Sequence, residues 1–440
     1  MGTTRHQRQA DTPALSRRPG LQSPSRAARL ALVLPLLLLF AMCNTACTQT
    51  PQAVDGPTPN SITPTTTPGL ERLDTLIQQG IDQRLYPGAV CIVGQVNDQT
   101  HTILHARAYG HLTYPHNDPD AQPTQLNTLY DLASLTKVVA TTTATLLNLA
   151  DGRLALDDPA AQYIPGFEQH GKDAVTLQHL LTHTSGLKPY ESYSVVEAGR
   201  HEDESHSDAL IRHYAALPLA YDTGAGYAYS CLNFQTLARI NETAAGQSQE
   251  QLLIRRVFGP LGMHDTRYTL NDEQRTRAAP TFRDPQGRPV AGTTHDPLAR
   301  YHESTPHCPG NAGLYSTATD LARYAQLILN LGRANNQPLL DPDLLARALA
   351  SQTDPDTVGE QRGLGFDVYE SNHYITDANT RLGHELVGHT GYTGTLMLLD
   401  RHTGRYLILL TNRTYPADET TPAQSPSINA VRRACWAVVR

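Results

Sequence analysis

Apolar positions organise most of this chain. Leu70, Leu73, Leu76, Ile77 and Ile81 recur at helical spacing, which predicts a helix with one buried side. Pro87-Gly88 then break the chain before Ala89–Val93, whose β-branched content predicts a buried strand, with residues 101–110 as its hairpin partner. The strongest helical pattern runs from Ser134 to Leu149, with Leu135, Val138, Val139, Thr142, Leu146 and Leu149 in one stripe. Residues 155–350 are loop-rich, and short helices are expected at 175–183, 207–216, 231–245, 249–258 and 317–331. Toward the end, Thr395–Leu399 and Arg405–Thr411 flank the Gly-containing turn Asp400–Gly404, which predicts a second hairpin. A closing helix at about 427–439 carries Ile428, Val431, Cys435, Val438 and Val439 on one side. Strands near both ends around a helical middle imply one sheet assembled from both termini. No repeat of 20–50 residues is visible.

The first residues read as an address. Arg5, Arg8, Arg17, Arg18, Arg26 and Arg29 face a single acid, Asp11, ahead of an apolar run from Leu30 to Met42. Such a run makes about 20 Å of helix, too short for a hydrocarbon core of about 30 Å, so residues 1–46 are expected to be an export signal. Thr45-Ala46-Cys47 is similar to the processing site of bacterial lipoproteins, in which the cysteine is lipidated and would anchor the protein to a membrane. Asn44 stands where that pattern usually has Leu, so ordinary signal cleavage is the alternative. Residues 47–68, rich in Pro and Thr and without apolar periodicity, are expected to be a disordered tether. The folded domain is expected over 69–440.

Composition narrows the function classes. With 39% hydrophobic and 18% charged residues, the 440-residue chain can build a core. A net charge of −7 without a long basic run argues against a nucleic-acid partner. Six cysteines are too few for a disulfide-built fold. Lysine is nearly absent: Lys137, Lys172 and Lys188 are the only ones among 35 Lys and Arg residues. A retained lysine can mark a site that needs an amine able to lose its proton, which a guanidinium cannot do.

Lys137 stands three residues after Ser134 near the start of the long helix, so one turn brings hydroxyl and amine to the same face. Serine needs a base to act as a nucleophile, and a lysine whose pKa is lowered by burial can be that base. A helix start also offers free N–H groups to a developing oxyanion. Thr136 and Val138-Val139 flank Lys137 on an otherwise apolar, Thr-rich helix, a poor place for a solvated charge.

Five segments, in order, resemble the penicillin-recognising serine hydrolases: class C β-lactamases, D-alanyl-D-alanine carboxypeptidases, D-aminopeptidases and related esterases. They are Tyr130-Asp-Leu-Ala-Ser-Leu-Thr-Lys137, Val175-Thr-Leu-Gln-His-Leu-Leu-Thr-His-Thr-Ser-Gly-Leu187, Val257-Phe-Gly-Pro-Leu-Gly-Met-His-Asp-Thr266, Ala312-Gly-Leu-Tyr-Ser-Thr-Ala-Thr-Asp-Leu-Ala322 and Gly388-His-Thr-Gly-Tyr-Thr-Gly394. The resemblance implies an α/β fold with an antiparallel sheet flanked by helices and a helical insertion. It makes Ser134 the acylated nucleophile, Lys137 its activating amine and Tyr229 the proton shuttle. It makes His389 and Thr390 the holders of a substrate carboxylate, with Gly391 allowing close approach. The N–H groups of Ser134 and Tyr392 would form the oxyanion hole.

Two departures bear on the substrate. Cys231 stands where the family's Tyr-x-Asn element has Asn or Asp, and a thiol is a weak hydrogen bonder, which puts amide recognition in doubt. The third element begins with His389 rather than Lys, which resembles peptidases more than class C β-lactamases. The expected activity is therefore acyl-enzyme hydrolysis of a D-amino-acid peptide of the cell-wall type. Carboxylesterase and β-lactamase activity are the alternatives, as is a catalytically inactive wall-binding lipoprotein.

No cofactor or catalytic metal is expected despite 19 histidines. His201 and His206, like His384 and His389, are five apart, whereas zinc-binding helices need four. His179 and His183 are four apart, and core hydrogen bonding is expected of them. Cys91, Cys308 and Cys435 are expected to be buried apolar residues, although export would permit a disulfide.

Overall fold

The computed structural model describes residues 62–97, 100–335, 337–369, 385–417 and 427–440. A seven-stranded sheet forms its centre, and every neighbouring pair runs antiparallel. In chain order the strands are β1 (Thr65–Thr66), β2 (Gly88–Asn97), β3 (Thr100–Gly110), β4 (Asp367–Val368), β5 (Leu386–Thr390), β6 (Leu396–Asp400) and β7 (Arg405–Thr411). Their spatial order is β1-β3-β2-β7-β6-β5-β4. The two predicted hairpins meet at the centre, where Ile408 of β7 faces Ile92 of β2. The sheet is thus built from both ends of the chain, as the patterning implied.

One correction concerns the tether. Thr65 and Thr66 pair with Ala106 and His105, so ordered structure begins inside the Pro/Thr-rich stretch. Two β-branched residues suit an edge strand, but they are too few to show a period of two in sequence.

Alternation along the strands splits the core in two. Val90, Ile92, Val387, Met397, Leu399, Ile408 and Leu410 face the helical middle of the chain. Cys91, Val93, Leu386, Leu396, Leu398, Leu407 and Leu409 face the opposite side. There they meet helix α1 (Arg72–Asp82), through Leu73 and Ile77, and the last helix, α5 (Ile428–Val439), through Ile428, Cys435, Trp436 and Val439. Cys91, Cys308 and Cys435 are buried, and none is in a disulfide.

The long central helix departs from the expected regular one. Residues Lys137–Thr142 form a π-helical stretch that passes into helix α2 (Thr143–Ala150). Threonine hydroxyls supply a physical reason. Thr143 Oγ1 donates to the Val138 carbonyl at 3.1 Å and Thr145 Oγ1 to the Thr141 carbonyl at 2.9 Å, and such back-bonding competes with the regular ladder. Wide turns of this kind recur at functional sites. Helix α3 (Cys231–Ala245) packs beside it, as does α4 (Ala318–Leu329) through Tyr324, which bonds to Thr143 and the Val138 carbonyl.

Candidate active site

Ser134 sits in the tight turn that enters the π-helical stretch. The residue before it, Ala133, has φ +47°, a left-handed conformation that costs a non-glycine residue about 1 kcal/mol or more. The turn is braced from several directions. Asp131, only 1% exposed, accepts the Ala133 N–H on Oδ1 and the His295 N–H on Oδ2, both at 2.8 Å. Thr393 Oγ1 donates to the Asp131 carbonyl at 2.7 Å and Thr395 Oγ1 to the Leu132 carbonyl at 2.9 Å. Burial raises the Asp131 pKa to about 6, although the two N–H donors oppose the rise. Strain at Ala133 is therefore held in place by Asp131 and by the turn that follows the third element.

Lys137 is 0% exposed. Its Nζ donates to Ser134 Oγ at 3.1 Å and to the Asn311 carbonyl at 2.9 Å, and lies 3.8 Å from Cys231 Sγ. The amine also rides 4.8 Å from the Tyr229 ring centre. Burial lowers its pKa from the usual lysine value, which favours the neutral amine. Tyr229 precedes α3, and its phenol is driven well above its ordinary pKa, chiefly by burial, with the nearby Ser134 hydroxyl easing the rise. The ring lies 4.5 Å from that of His183 and 6.0 Å from that of His389.

His183 supports this wall. It is fully buried at φ +60° and takes the Ser230 N–H on Nδ1 at 3.0 Å. Burial, then the charge of Arg362, holds it neutral. His179 instead closes a capping box with Thr176.

His389 is buried at the end of β5, and its Nδ1 bonds the Thr390 carbonyl at 2.7 Å. A carbonyl only accepts, so the proton is on Nδ1 and Nε2 is an acceptor when the ring is neutral. Gly391 has a steric duty: a Cβ there would stand 2.4 Å from the Leu132 carbonyl and 2.0 Å from Thr395 Oγ1. Behind it, Arg432 of α5 donates to the Gly391 and Thr395 carbonyls, each at 2.7 Å. Tyr392 is 66% exposed at the rim, stacked on His295 at 5.8 Å. Neither the Ser134 N–H nor the Tyr392 N–H donates to another described residue.

The structure thus gathers Ser134, Lys137, Tyr229 and Cys231, sets His389 beside Tyr229, and lays Gly391 against the nucleophile turn. Thr390 lies at the strand end and Tyr392 at the rim. Cys47 and His384 lie outside the described residues. Sequence reasoning missed Asn311, Asp296, His183 as a support for Tyr229, and the buried ion pair of Arg362 with Asp367. Asp296-Pro297, a helix-capping pair, was the one local signal that could have drawn attention to that rim.

Comparison with known proteins identifies the family. Residues 73–425 match the Beta-lactamase family. The chain is 29% identical over 387 residues to a Bacillus subtilis protein named N-acetylmuramyl-L-alanine amidase, covering 82% of this chain and 83% of that one. It is 27% identical over 385 residues to an Escherichia coli protein named D-alanyl-D-alanine carboxypeptidase, covering 82% and 85%. Two solved structures share the fold. A penicillin-binding protein homolog from Caulobacter crescentus has a TM-score of 0.64 at 21% identity, over 86% of this chain and 100% of that one. A class C beta-lactamase has a TM-score of 0.63 at 20% identity, over 84% and 96%. With the family matched over most of its length, this chain belongs to the Beta-lactamase family and is a serine hydrolase.

Proposed function

We propose that the protein cleaves an amide in cell-wall-type peptides containing D-amino acids, by way of an acyl-enzyme on Ser134. The observation that carries this reading is the 3.1 Å contact between Ser134 Oγ and a lysine amine that burial pushes toward neutrality. In the proposed cycle Lys137, with Tyr229, takes the Ser134 proton as Oγ attacks the carbonyl carbon. The N–H groups of Ser134 and Tyr392 receive the oxyanion. Tyr229 then returns a proton to the departing amine, and water attacks the ester to release the acid and restore Ser134. The relative named D-alanyl-D-alanine carboxypeptidase supports a substrate ending in a carboxylate, which Thr390 and a protonated His389 would hold.

The neutral form of His389 favours a second reading. With Nδ1–H engaged, it offers a lone pair, which suits an N–H donor better than a carboxylate. An uncharged amide, as the name of the amidase relative suggests, would fit that form.

The test uses purified protein lacking residues 1–46, with a D-Ala-D-Ala peptide, a muramyl-L-alanine peptide, nitrocefin and short-chain esters. Release of D-Ala supports the first reading, and cleavage at the sugar end the second. Ester turnover with both peptides untouched would sink both. A fluorophosphonate adduct on Ser134, absent from Ser134→Ala, is expected in either case. No adduct would favour a wall-binding protein instead.

The proposal also places the protein outside the cytoplasm, anchored through Cys47, on the strength of the basic flank and apolar run of residues 1–46. Full-length Cys47→Ala should leave the membrane fraction, and its retention there would refute the anchor.

A further inference from the structure

Resting on Ser134 and Lys137 as the reacting pair, we propose that Asp296 is a positioning residue for Lys137, holding it through Asn311 and supplying the anion that Cys231 does not provide.

The geometry is a short chain of contacts. Lys137 Nζ donates to the Asn311 carbonyl at 2.9 Å, and Asn311 Nδ2 donates to Asp296 Oδ1 at 3.3 Å. Gln235 Nε2 fixes the other end of the Asn311 amide at 2.9 Å. Asp296 Oδ1 also caps the helix Pro297–Arg300 through the Ala299 N–H at 2.8 Å. Its Oδ2 takes no donor among the described residues and is not sealed from solvent.

Charge gives the arrangement its purpose. The amine is faced by Ser134, Cys231, Tyr229, Asp296 and Arg362, with His183 and His389 beyond the Tyr229 ring. Arg362 is already paired with Asp367. Tyr229 is neutral, and burial keeps the Cys231 thiol protonated near neutral pH. Among the described groups facing Lys137, Asp296 is therefore the anion not committed to a cation. Burial and Arg362 both disfavour the ammonium. Unopposed, they would leave an amine too weakly basic to take the Ser134 proton well. An acyl-enzyme cycle moves protons both ways, so the group works best when its two forms are balanced near the operating pH. Asp296 pulls the amine back toward that balance.

The experiment compares wild type with Asp296→Asn, which keeps a helix-capping side chain and removes the charge. The readout is the second-order rate of Ser134 labelling by a fluorophosphonate against pH. Losing the anion lowers the Lys137 pKa, so the acid limb should move to lower pH by about half a unit or more. Asp296 also raises the pKa of Asp131, which itself titrates near pH 6. The shift must therefore persist when Asp296→Asn is made in an Asp131→Asn background. Loss of the cap alone would lower Tm without moving the limb. An unmoved limb, or one that moves only while Asp131 is present, overturns the proposal. If wild type fails to label at any pH, it is the hydrolase reading of Ser134 that fails.

Discussion

The two faces of the sheet are built by different means. On the face toward α1 and α5, the core is mainly leucine, isoleucine and valine, filled out by Ala89, Cys91, Cys435, Tyr86, Tyr109, Tyr369 and the single tryptophan. On the face toward the helical middle, apolar side chains share the interior with a hydrogen-bonded polar lattice. Thr141 Oγ1 donates to the Gly310 carbonyl at 2.8 Å, Asn241 Nδ2 to the Thr141 carbonyl at 3.1 Å, and Gln249 Nε2 to Thr141 Oγ1 at 3.2 Å. Apolar packing is non-directional and tolerates volume-conserving exchange. Buried polar bonds are directional, and each costs about 1–3 kcal/mol if left unmade. The first face holds the sheet together, while the second also aims side chains. The comparison predicts that damage to one face costs stability and damage to the other costs chemistry.

Lys137→Met should break that contrast most visibly. It removes the amine from Ser134, so serine labelling should fall by about 10²–10⁴-fold, while thermal unfolding shows the chain still folded. Labelling within tenfold of wild type would mean that another group activates Ser134. Trp436→Ala on the apolar face should do the reverse. A loss of about 3–5 kcal/mol in denaturant unfolding is expected, with the labelling rate per folded molecule close to wild type. Reduced labelling of the folded fraction would show that the faces are coupled more tightly than their composition implies. Gly391→Ala sharpens the boundary between them. Its Cβ would displace the Leu132 carbonyl, and a shift approaching 1 Å at a nucleophile costs about 10²-fold in rate. Unfolding should change less than for Trp436→Ala.

The elements most legible in sequence were those with a single dominant period. Ile428–Val439 falls within a residue of its expected bounds because one apolar stripe decides it, and Cys231–Ala245 matches its expected range although Asn233, Gln235, Thr236 and Asn241 are buried among its apolar residues. The two-residue strands at Thr65 and Asp367 were invisible, since so short a strand is defined by its partner. Ser134 and Lys137 could be paired from their spacing taken with the scarcity of lysine, the apolar flanks of Lys137 and the family resemblance. Their supports could not: Asn311 acts through its backbone carbonyl, and Asp131 and His183 through bonds to main-chain N–H groups. Such contacts depend on where the chain passes, not on residue type. The π-helical start of the central helix escaped for a similar reason, because threonine spacing does not announce which carbonyl a hydroxyl will choose.

Arg432 ties the final helix to the loop that abuts the nucleophile turn. During synthesis, the serine and its amine emerge from the ribosome long before the segment that completes their surroundings. A chain cut short of α5 would carry both reacting groups yet lack the clamp on the third element. The third element thus gains this clamp only after α5 has been synthesised, well after the nucleophile turn.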